Sequence, residues 1–243
     1  MGKAQPNLFA FPNVDAFAPV LRAYIIQSQA AGIARHGAFK LAVSSGSLPK
    51  TLAAALLAPP GPNDQVELAR WEIFFTHEHA VPLDHDDSNY AFLKKELLDK
   101  IPEDQKPSVH PIGTTHLEGL RELADQYQQT LVASFASRDS VRLPIFDLLL
   151  PSCGPDGYAL LRETSSWVAP IDDSPKPPQH RIALTLPVVA HAVRVAFVAT
   201  GGDFDTNGGL PCSLVNEATG VRCSWFVDEP AVEGVSFPRR VFL

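Results

Sequence analysis

The amino-acid sequence predicts an α/β fold: a doubly wound, mostly parallel sheet with helices on both faces. Short apolar segments alternate along the chain with longer segments whose apolar residues recur at helical spacing. Leu148 to Leu150 is continuously apolar, which is typical of a parallel strand buried on both faces. Strands that alternate with helices are joined by right-handed crossovers, which place helices on both sides of the sheet. A chain of 243 residues, 45% of them hydrophobic, is long enough for a single domain over residues 1–243.

The individual elements follow from periodicity and from their start signals. Phe17, Leu21 and Ile25 recur at helical spacing in the first helix. Pro49 suits the start of the second helix, and Ser88 or Asn89 can cap the third. The predicted helices are Asp15–His36, Pro49–Leu57, Asp87–Lys100, Leu117–Ser137 and Val188–His191, the last one reached through Arg181–Pro187. The predicted strands are Phe39–Ser44, Trp71–Phe75, Phe146–Leu150, Val193–Thr200 and Arg222–Val227.

Composition limits the ligands and the cellular setting that we expect for this protein. The net charge is −7 and no cluster of Lys and Arg is dense enough for a phosphate backbone, so we expect a small-molecule substrate and no nucleic acid. No run of apolar residues is long enough to span a membrane, and the first ten residues do not resemble a signal peptide. Three cysteines without a CxxC pair suit a reduced, cytoplasmic protein. No cofactor is expected, and the oligomeric state is left open.

Polar residues follow three of the predicted strands. Ser44–Ser47 follows the first strand, Thr76–His79 follows the second, and a Gly154–Tyr158 turn follows the third. Ligands of doubly wound sheets bind at the carboxyl ends of the strands, so we expect these three segments to line one crevice.

Several longer motifs resemble those of the 6-phosphogluconolactonase family. The turn Gly-Pro-Asp-Gly-Tyr158 resembles the family's Gly-Pro-Asp-Gly-His signature, and Ser-Ser-Gly-Ser-Leu-Pro-Lys50 resembles its phosphate loop. Further motifs of the family have counterparts here in the same order: the Trp71–Asp84 segment, Asp-Ser-Asn-Tyr90 and the Trp167–Pro178 block. The resemblance implies the fold shared with glucosamine-6-phosphate and ribose-5-phosphate isomerases. The residues of these motifs are most similar to those of filamentous-fungal members of the family.

The departures from the family pattern fall in the pocket. Ser45 stands where the family has the first loop glycine, and His77 and His79 stand where it has Asp and the phosphate-clamping Arg. Tyr158 replaces the histidine that serves the family as catalytic base. The active-site loop after Tyr158 is shorter, and 203–209 replaces a Lys-rich helix. Because these changes cluster while the scaffold motifs persist, we favour a repurposed pocket.

The candidate catalytic residues are His77, Glu78, His79 and Tyr158. The two histidines lie two apart on an extended backbone and point to one side, whereas Glu78 faces the other. Histidine titrates near neutrality, as acid–base work requires. Tyr158 suits an acid or an oxyanion donor, or else fills vacated space.

The candidate substrate-binding residues are Ser44, Ser45, Gly46, Ser47, Asp156 and Arg181. Asp156 also suits a turn former, and Arg181 and Ser47 would either hold a phosphate or brace the loops. Cys153 is interpreted as a bystander. A metal held by His77, His79, Asp84 and His85 is chemically plausible, but the resemblance does not support it and no metal is expected.

The sequence leaves three functions open. The favoured one is an enzyme doing isomerisation, cyclisation or lactone and ester hydrolysis on a bulkier, non-phosphorylated substrate, with secondary metabolism as the expected setting. The second is the family's own reaction, hydrolysis of 6-phosphogluconolactone in the oxidative pentose phosphate pathway. The third is a non-catalytic binding protein.

Overall fold

A seven-stranded, all-parallel sheet forms the centre of the molecule. The computed structural model describes residues 5–61, 64–135, 143–152, 163–201, 211–234 and 237–240. Its strands are β1 (Asn7–Phe11), β2 (Phe39–Val43), β3 (Trp71–Phe75), β4 (His77–His79), β5 (Ser108–Val109), β6 (Leu148–Leu150), β7 (Val168–Ile171), β8 (Arg181–Leu184), β9 (Val195–Ala199) and β10 (Cys223–Asp228). The main sheet has the order β1-β10-β9-β6-β2-β3-β5.

Helices cover both faces of this sheet, as the sequence predicts. They are α1 (Val14–His36), α2 (Leu48–Leu56), α3 (Asn89–Glu96), α4 (Leu120–Phe135), α5 (Leu186–His191) and α6 (Pro211–Thr219). One core cluster joins α1, α2 and α3 to one face, and a second joins α4, α5 and α6 to the other. Neighbouring side chains of a strand enter different clusters: Leu148 and Leu150 belong to the first and Leu149 to the second. A continuously apolar strand is therefore buried on both sides.

Local signals set the bounds of the helices. The side chain of Asn13 accepts a hydrogen bond from the Ala16 N–H at the start of α1. Gly37 ends the same helix with a φ of 87°, and its N–H donates to the Ile33 carbonyl. Ser88 caps α3 in the same way, through the Ala91 N–H. Each cap satisfies groups that the first or last helical turn leaves open.

A small antiparallel sheet packs beside the main one, with the order β4-β8-β7. Thr76 connects the two sheets: its N–H donates to the Val43 carbonyl of β2, and its carbonyl accepts from the Leu184 N–H of β8. The chain therefore leaves the main sheet at Thr76 and enters the small one at His77. This step was not predicted, because a strand of three residues carries too few side chains to give a period.

The order of the strands places a switch point between β2 and β6. From β2 the chain proceeds to β3 on one side, and from β6 it proceeds to β9 on the other. Connections that diverge from two neighbouring strands open a crevice at their carboxyl ends. Ser44–Ser47 follows β2 at this edge of the sheet.

The predicted fold class is confirmed, and the differences concern single elements. The sequence did not predict β1, β4, β5, β7, β8 or α6. The helix predicted over Asp87–Lys100 is shorter, because it stops at Glu96 and continues as a 3-10 turn over Leu98–Lys100. Among the described residues, no helix combines the length and apolarity that crossing a bilayer requires.

Candidate active site

The loop after β2 and the strand after β3 meet through a serine–histidine pair. Ser45 Oγ lies 3.1 Å from Nε2 of His77. Thr76 Oγ1 lies 3.4 Å from the other ring nitrogen, Nδ1. When Nδ1 donates its proton to Thr76, Nε2 carries the lone pair that faces Ser45. This arrangement unites two of the three segments that the sequence places at the crevice.

The alternation of β4 separates the two histidines from Glu78. His77 and His79 are both partly exposed, and their ring centroids lie 6.2 Å apart. Glu78 between them is 1% exposed and points to the opposite face. The predicted placement of the two histidines on one side of the strand and of Glu78 on the other is therefore observed.

Glu78 uses both carboxylate oxygens to hold the chain that surrounds it. Oε1 accepts from the N–H groups of His79 at 2.9 Å and Asn89 at 2.8 Å, and Oε2 accepts from the Tyr90 N–H at 2.9 Å. Two of these donors belong to the first turn of α3, where a negative group is favourable. Burial nevertheless dominates and raises the pKa of Glu78 to about 7, while the three backbone donors act against the rise.

The start of α3 also orients the two histidines. Asn89 Nδ2 donates to the His77 carbonyl at 2.9 Å. Nδ1 of His79 lies 2.6 Å from the Asp87 carbonyl. A carbonyl oxygen can only accept, so Nδ1 of His79 carries a proton. Glu78, Asn89 and Asp87 therefore hold β4 against α3 from three directions.

The Ser44–Ser47 loop lies at the switch point with its side chains in different settings. Ser44 is buried, Ser45 is partly exposed, and Gly46 and Ser47 are exposed. Gly46 has a φ of +76°, in the left-handed region where glycine is favoured. Ser47 Oγ accepts a hydrogen bond of 3.1 Å from Thr200 Oγ1, which lies just beyond the end of β9. The carboxyl end of β9 therefore lies beside the Ser44–Ser47 loop.

Arg181 lies beside this site but holds its own hairpin. It is 2% exposed and pairs with His79 across β4 and β8. Nε donates to the Pro178 carbonyl at 2.8 Å, and a terminal nitrogen donates to the Lys176 carbonyl at 2.5 Å. These contacts correspond to the bracing role that the sequence left open. A substrate contact for Arg181 stays a prediction.

Other predicted site residues lie outside the described residues or away from the Ser45–His77 pair. Cys153, Asp156 and Tyr158 lie outside the described residues, as does segment 203–209. The proposed ligand set with Asp84 and His85 is not assembled: in the described ranges, no three His, Cys, Asp or Glu side chains are placed to hold a metal ion. Asp84 instead lines a separate cleft of about 770 Å³ beside α3.

Sequence reasoning missed the residues that support the site. Thr76, Asn89 and Thr200 contact His77 or Ser47, and none of them was a candidate catalytic or substrate-binding residue, although Thr76 begins a segment that was expected to line the crevice. Thr76 and Thr200 could have been found, because Thr76 directly follows the predicted strand Trp71–Phe75 and Thr200 ends the predicted strand Val193–Thr200, both on the crevice side. Asn89 could not, since its contact depends on how α3 turns back onto β4.

Comparisons with known proteins agree with this architecture. Residues 12–204 match the family described as glucosamine-6-phosphate isomerases/6-phosphogluconolactonase. A probable 6-phosphogluconolactonase of Schizosaccharomyces pombe is 41% identical, over 93% of this chain and 94% of that protein. The 6-phosphogluconolactonase of Rattus norvegicus is 38% identical, over 84% of this chain and 83% of that one.

Solved structures give the same result for the fold. The 6-phosphogluconolactonase from Trypanosoma brucei superposes with a TM-score of 0.77 at 21% identity, covering 96% of this chain and 100% of that chain. The Trypanosoma cruzi protein superposes with a TM-score of 0.76 at 22% identity, covering 97% and 99%. The match over most of the sequence, together with the switch-point crevice, shows that this chain belongs to the glucosamine-6-phosphate isomerase/6-phosphogluconolactonase family.

Proposed function

We propose that this chain is a hydrolase of lactones or esters in which His77 is the central acid–base group. The observation that carries the proposal is the 3.1 Å contact between His77 Nε2 and Ser45 Oγ. A histidine in hydrogen-bond reach of a hydroxyl can move the proton that acyl transfer requires. His79 and Tyr158 are proposed as further acid–base or oxyanion groups, and Glu78 as the residue that positions both histidines.

The proposed substrate is bulkier and less charged than a sugar phosphate. His79 stands where the family motif has its phosphate-binding Arg, and its Nδ1 proton is donated to the Asp87 carbonyl. A histidine cannot form the bidentate fork that an arginine offers to a phosphate. Arg181 spends at least two of its donors on the carbonyls of its own hairpin. Isomerisation and cyclisation need only proton transfers to and from the substrate as it rearranges, whereas acyl transfer also needs an oxygen nucleophile, so the hydroxyl beside His77 favours hydrolysis. We expect the reaction to occur in the cytoplasm.

A second candidate is the reaction of the named relatives, the hydrolysis of 6-phosphogluconolactone. The 41% identity to the Schizosaccharomyces pombe protein favours it, because that identity extends over nearly the full length of both chains. Against it stand the substitutions of the clamp and of the base, at positions that the resemblance identifies with the chemistry.

The test compares substrates and variants in one assay. The purified protein is given 6-phosphogluconolactone, glucono-δ-lactone and p-nitrophenyl esters, and proton or p-nitrophenolate release is measured above the spontaneous rate. His77→Gln should lower kcat/KM by on the order of 100-fold. His116→Gln, at an exposed loop position, should leave it unchanged.

Three outcomes would contradict the proposal. Acceleration of 6-phosphogluconolactone alone would favour the second candidate. Full activity in His77→Gln, or the absence of hydrolysis of every substrate, would overturn the assignment of His77.

A further inference from the structure

We propose that Ser45 is a nucleophile that forms an acyl–enzyme, with His77 as its general base; this rests on the proposed hydrolysis of lactones or esters. The alternative within the same function is a water molecule activated by His77, with Ser45 only orienting the ring. Three features of the described residues favour direct attack by the serine.

The first feature is the position of Ser45 in the chain. It lies in the short turn between the end of β2 at Val43 and the start of α2 at Leu48. Gly46 follows it with a φ of +76°, which gives the chain a sharp change of direction. A serine in a tight strand-to-helix turn at the carboxyl edge of a parallel sheet has its hydroxyl presented to the crevice, as in a nucleophile elbow.

The second feature is the base. His77 Nε2 lies within hydrogen-bond distance of Ser45 Oγ, and Thr76 Oγ1 lies beside Nδ1. The backbone of His77 is held by Asn89 on one side and by Ala183 of β8 on the other. A base whose ring and backbone are both supported keeps the geometry that proton transfer needs.

The third feature is the set of backbone donors beside the hydroxyl. Ser47 is the cap residue of α2, yet among the described groups its side chain caps no N–H of that helix and instead accepts from Thr200. The N–H groups of the first helical turn have no intrahelical acceptor. Gly46 and Ser47 lie just before that turn. Their backbone N–H groups follow Ser45 directly in the chain, where an oxyanion formed on its substrate needs donors.

The chemistry is a balanced two-step hydrolysis. Ser45 Oγ attacks the carbonyl carbon while His77 Nε2 takes the hydroxyl proton, and the carbonyl oxygen becomes an oxyanion. The oxyanion collapses, the bond from carbon to the ring or ester oxygen breaks, and that oxygen takes the proton from Nε2. Water then attacks the acyl–Ser45 ester with His77 again as base. The tetrahedral intermediate formed by this attack collapses, the bond from carbon to Ser45 Oγ breaks, and the carboxylic acid is released. Ser45 Oγ takes the proton from His77 Nε2.

The test is to trap the acyl–enzyme. The full-length protein is mixed with p-nitrophenyl acetate, p-nitrophenolate release is followed for a burst, and the quenched protein is analysed by peptide mass spectrometry. Phenylmethanesulfonyl fluoride serves as a second probe that needs no turnover. We expect one acetyl or sulfonyl group on Ser45, lost in Ser45→Ala and in His77→Gln and retained in Ser108→Ala, an exposed serine in β5.

The variants also separate this inference from the proposed function. Ser45→Ala should lower acyl transfer by at least about 100-fold, and Ser45→Cys should retain a trapped acyl group on the new thiol. Hydrolysis that persists in Ser45→Ala but still requires His77 would overturn the nucleophile and leave the proposed function standing. Labelling of Ser45 that depends on His77, without turnover of any lactone or ester, would support the nucleophile and contradict the proposed function. Failure of both probes to modify Ser45 would overturn the nucleophile.

Discussion

Glu78 gives the sharpest prediction of stability, because its carboxyl is buried and its pKa is raised to about 7. Between the ordinary value of 4.5 and about 7, the folded protein holds a proton on Glu78 that the unfolded chain has released. The folded state then binds more protons, so the free energy of unfolding falls as the pH rises. The stabilisation is fully present below pH 4.5 and is lost as the pH rises through about 7.

The magnitude follows from the size of the shift. One pKa unit corresponds to about 1.4 kcal/mol, so a change from 4.5 to about 7 corresponds to about 3 kcal/mol. Screening by solvent changes this little, because the side chain is 1% exposed. Glu78→Gln removes the titration and replaces one acceptor of the Tyr90 or Asn89 N–H by an amide donor. That loss costs about 1–3 kcal/mol at every pH.

The assay is urea unfolding of the wild type and Glu78→Gln at about pH 5, 6, 7 and 8, with Glu118→Gln as an exposed control of equal charge change. We expect the difference between wild type and Glu78→Gln to shrink by about 2.5 kcal/mol from the lowest to the highest pH, because the unfolded carboxyl is already mostly ionised at about pH 5. The control should follow the wild type. A difference that stays constant or grows with pH would refute the reasoning. It would mean that three N–H donors and the positive end of α3 outweigh burial.

Two further substitutions test packing at other points of the fold. Tyr127→Phe removes a buried hydroxyl that accepts from the Phe75 N–H at 2.7 Å and donates to the Phe75 carbonyl at 3.3 Å. It should cost about 1–3 kcal/mol in urea unfolding, and equal stability with the control Tyr90→Phe would contradict this. Gly32→Ala places a methyl 2.5 Å from Asp147 Oδ2. The clash should cost about 1–3 kcal/mol in the same assay although alanine favours helices, and a gain in stability would contradict it.

The fold was largely predictable because its central strands are buried on both faces. Trp71–Phe75 and the apolar residues of β6 must enter two hydrophobic layers, which only a covered parallel sheet provides. The short antiparallel sheet was not predictable. β4 has three residues, and its pairing with β8 depends on chain that is distant in sequence. Such pairing is determined by tertiary contacts and leaves no local period.

The sequence predicted which strand ends form the candidate site. It did not predict the hydrogen bonds between the side chains at those ends. The switch-point rule places Ser44–Ser47 and His77 at one edge of the sheet. It does not say that Ser45 and His77 form a hydrogen bond, because that depends on the turn at Gly46 and on the change of sheet at Thr76. The use of Glu78 as a cap of α3 was also hidden, since its donors lie eleven and twelve residues further along the chain.

The contact between Ser45 and His77 also bears on how the departures from the family pattern should be interpreted. By the resemblance, Ser45 replaces a glycine and His77 replaces an aspartate, each at its own strand end, and the two positions are 32 residues apart. If the pocket only decayed, nothing would favour a hydroxyl at one end and a matching ring nitrogen 3.1 Å away at the other. A nucleophile and its base are useful only together. We therefore propose that the pair serves ester hydrolysis, and the double variant Ser45→Gly with His77→Asp, which introduces the residues that the resemblance implies, should abolish that hydrolysis.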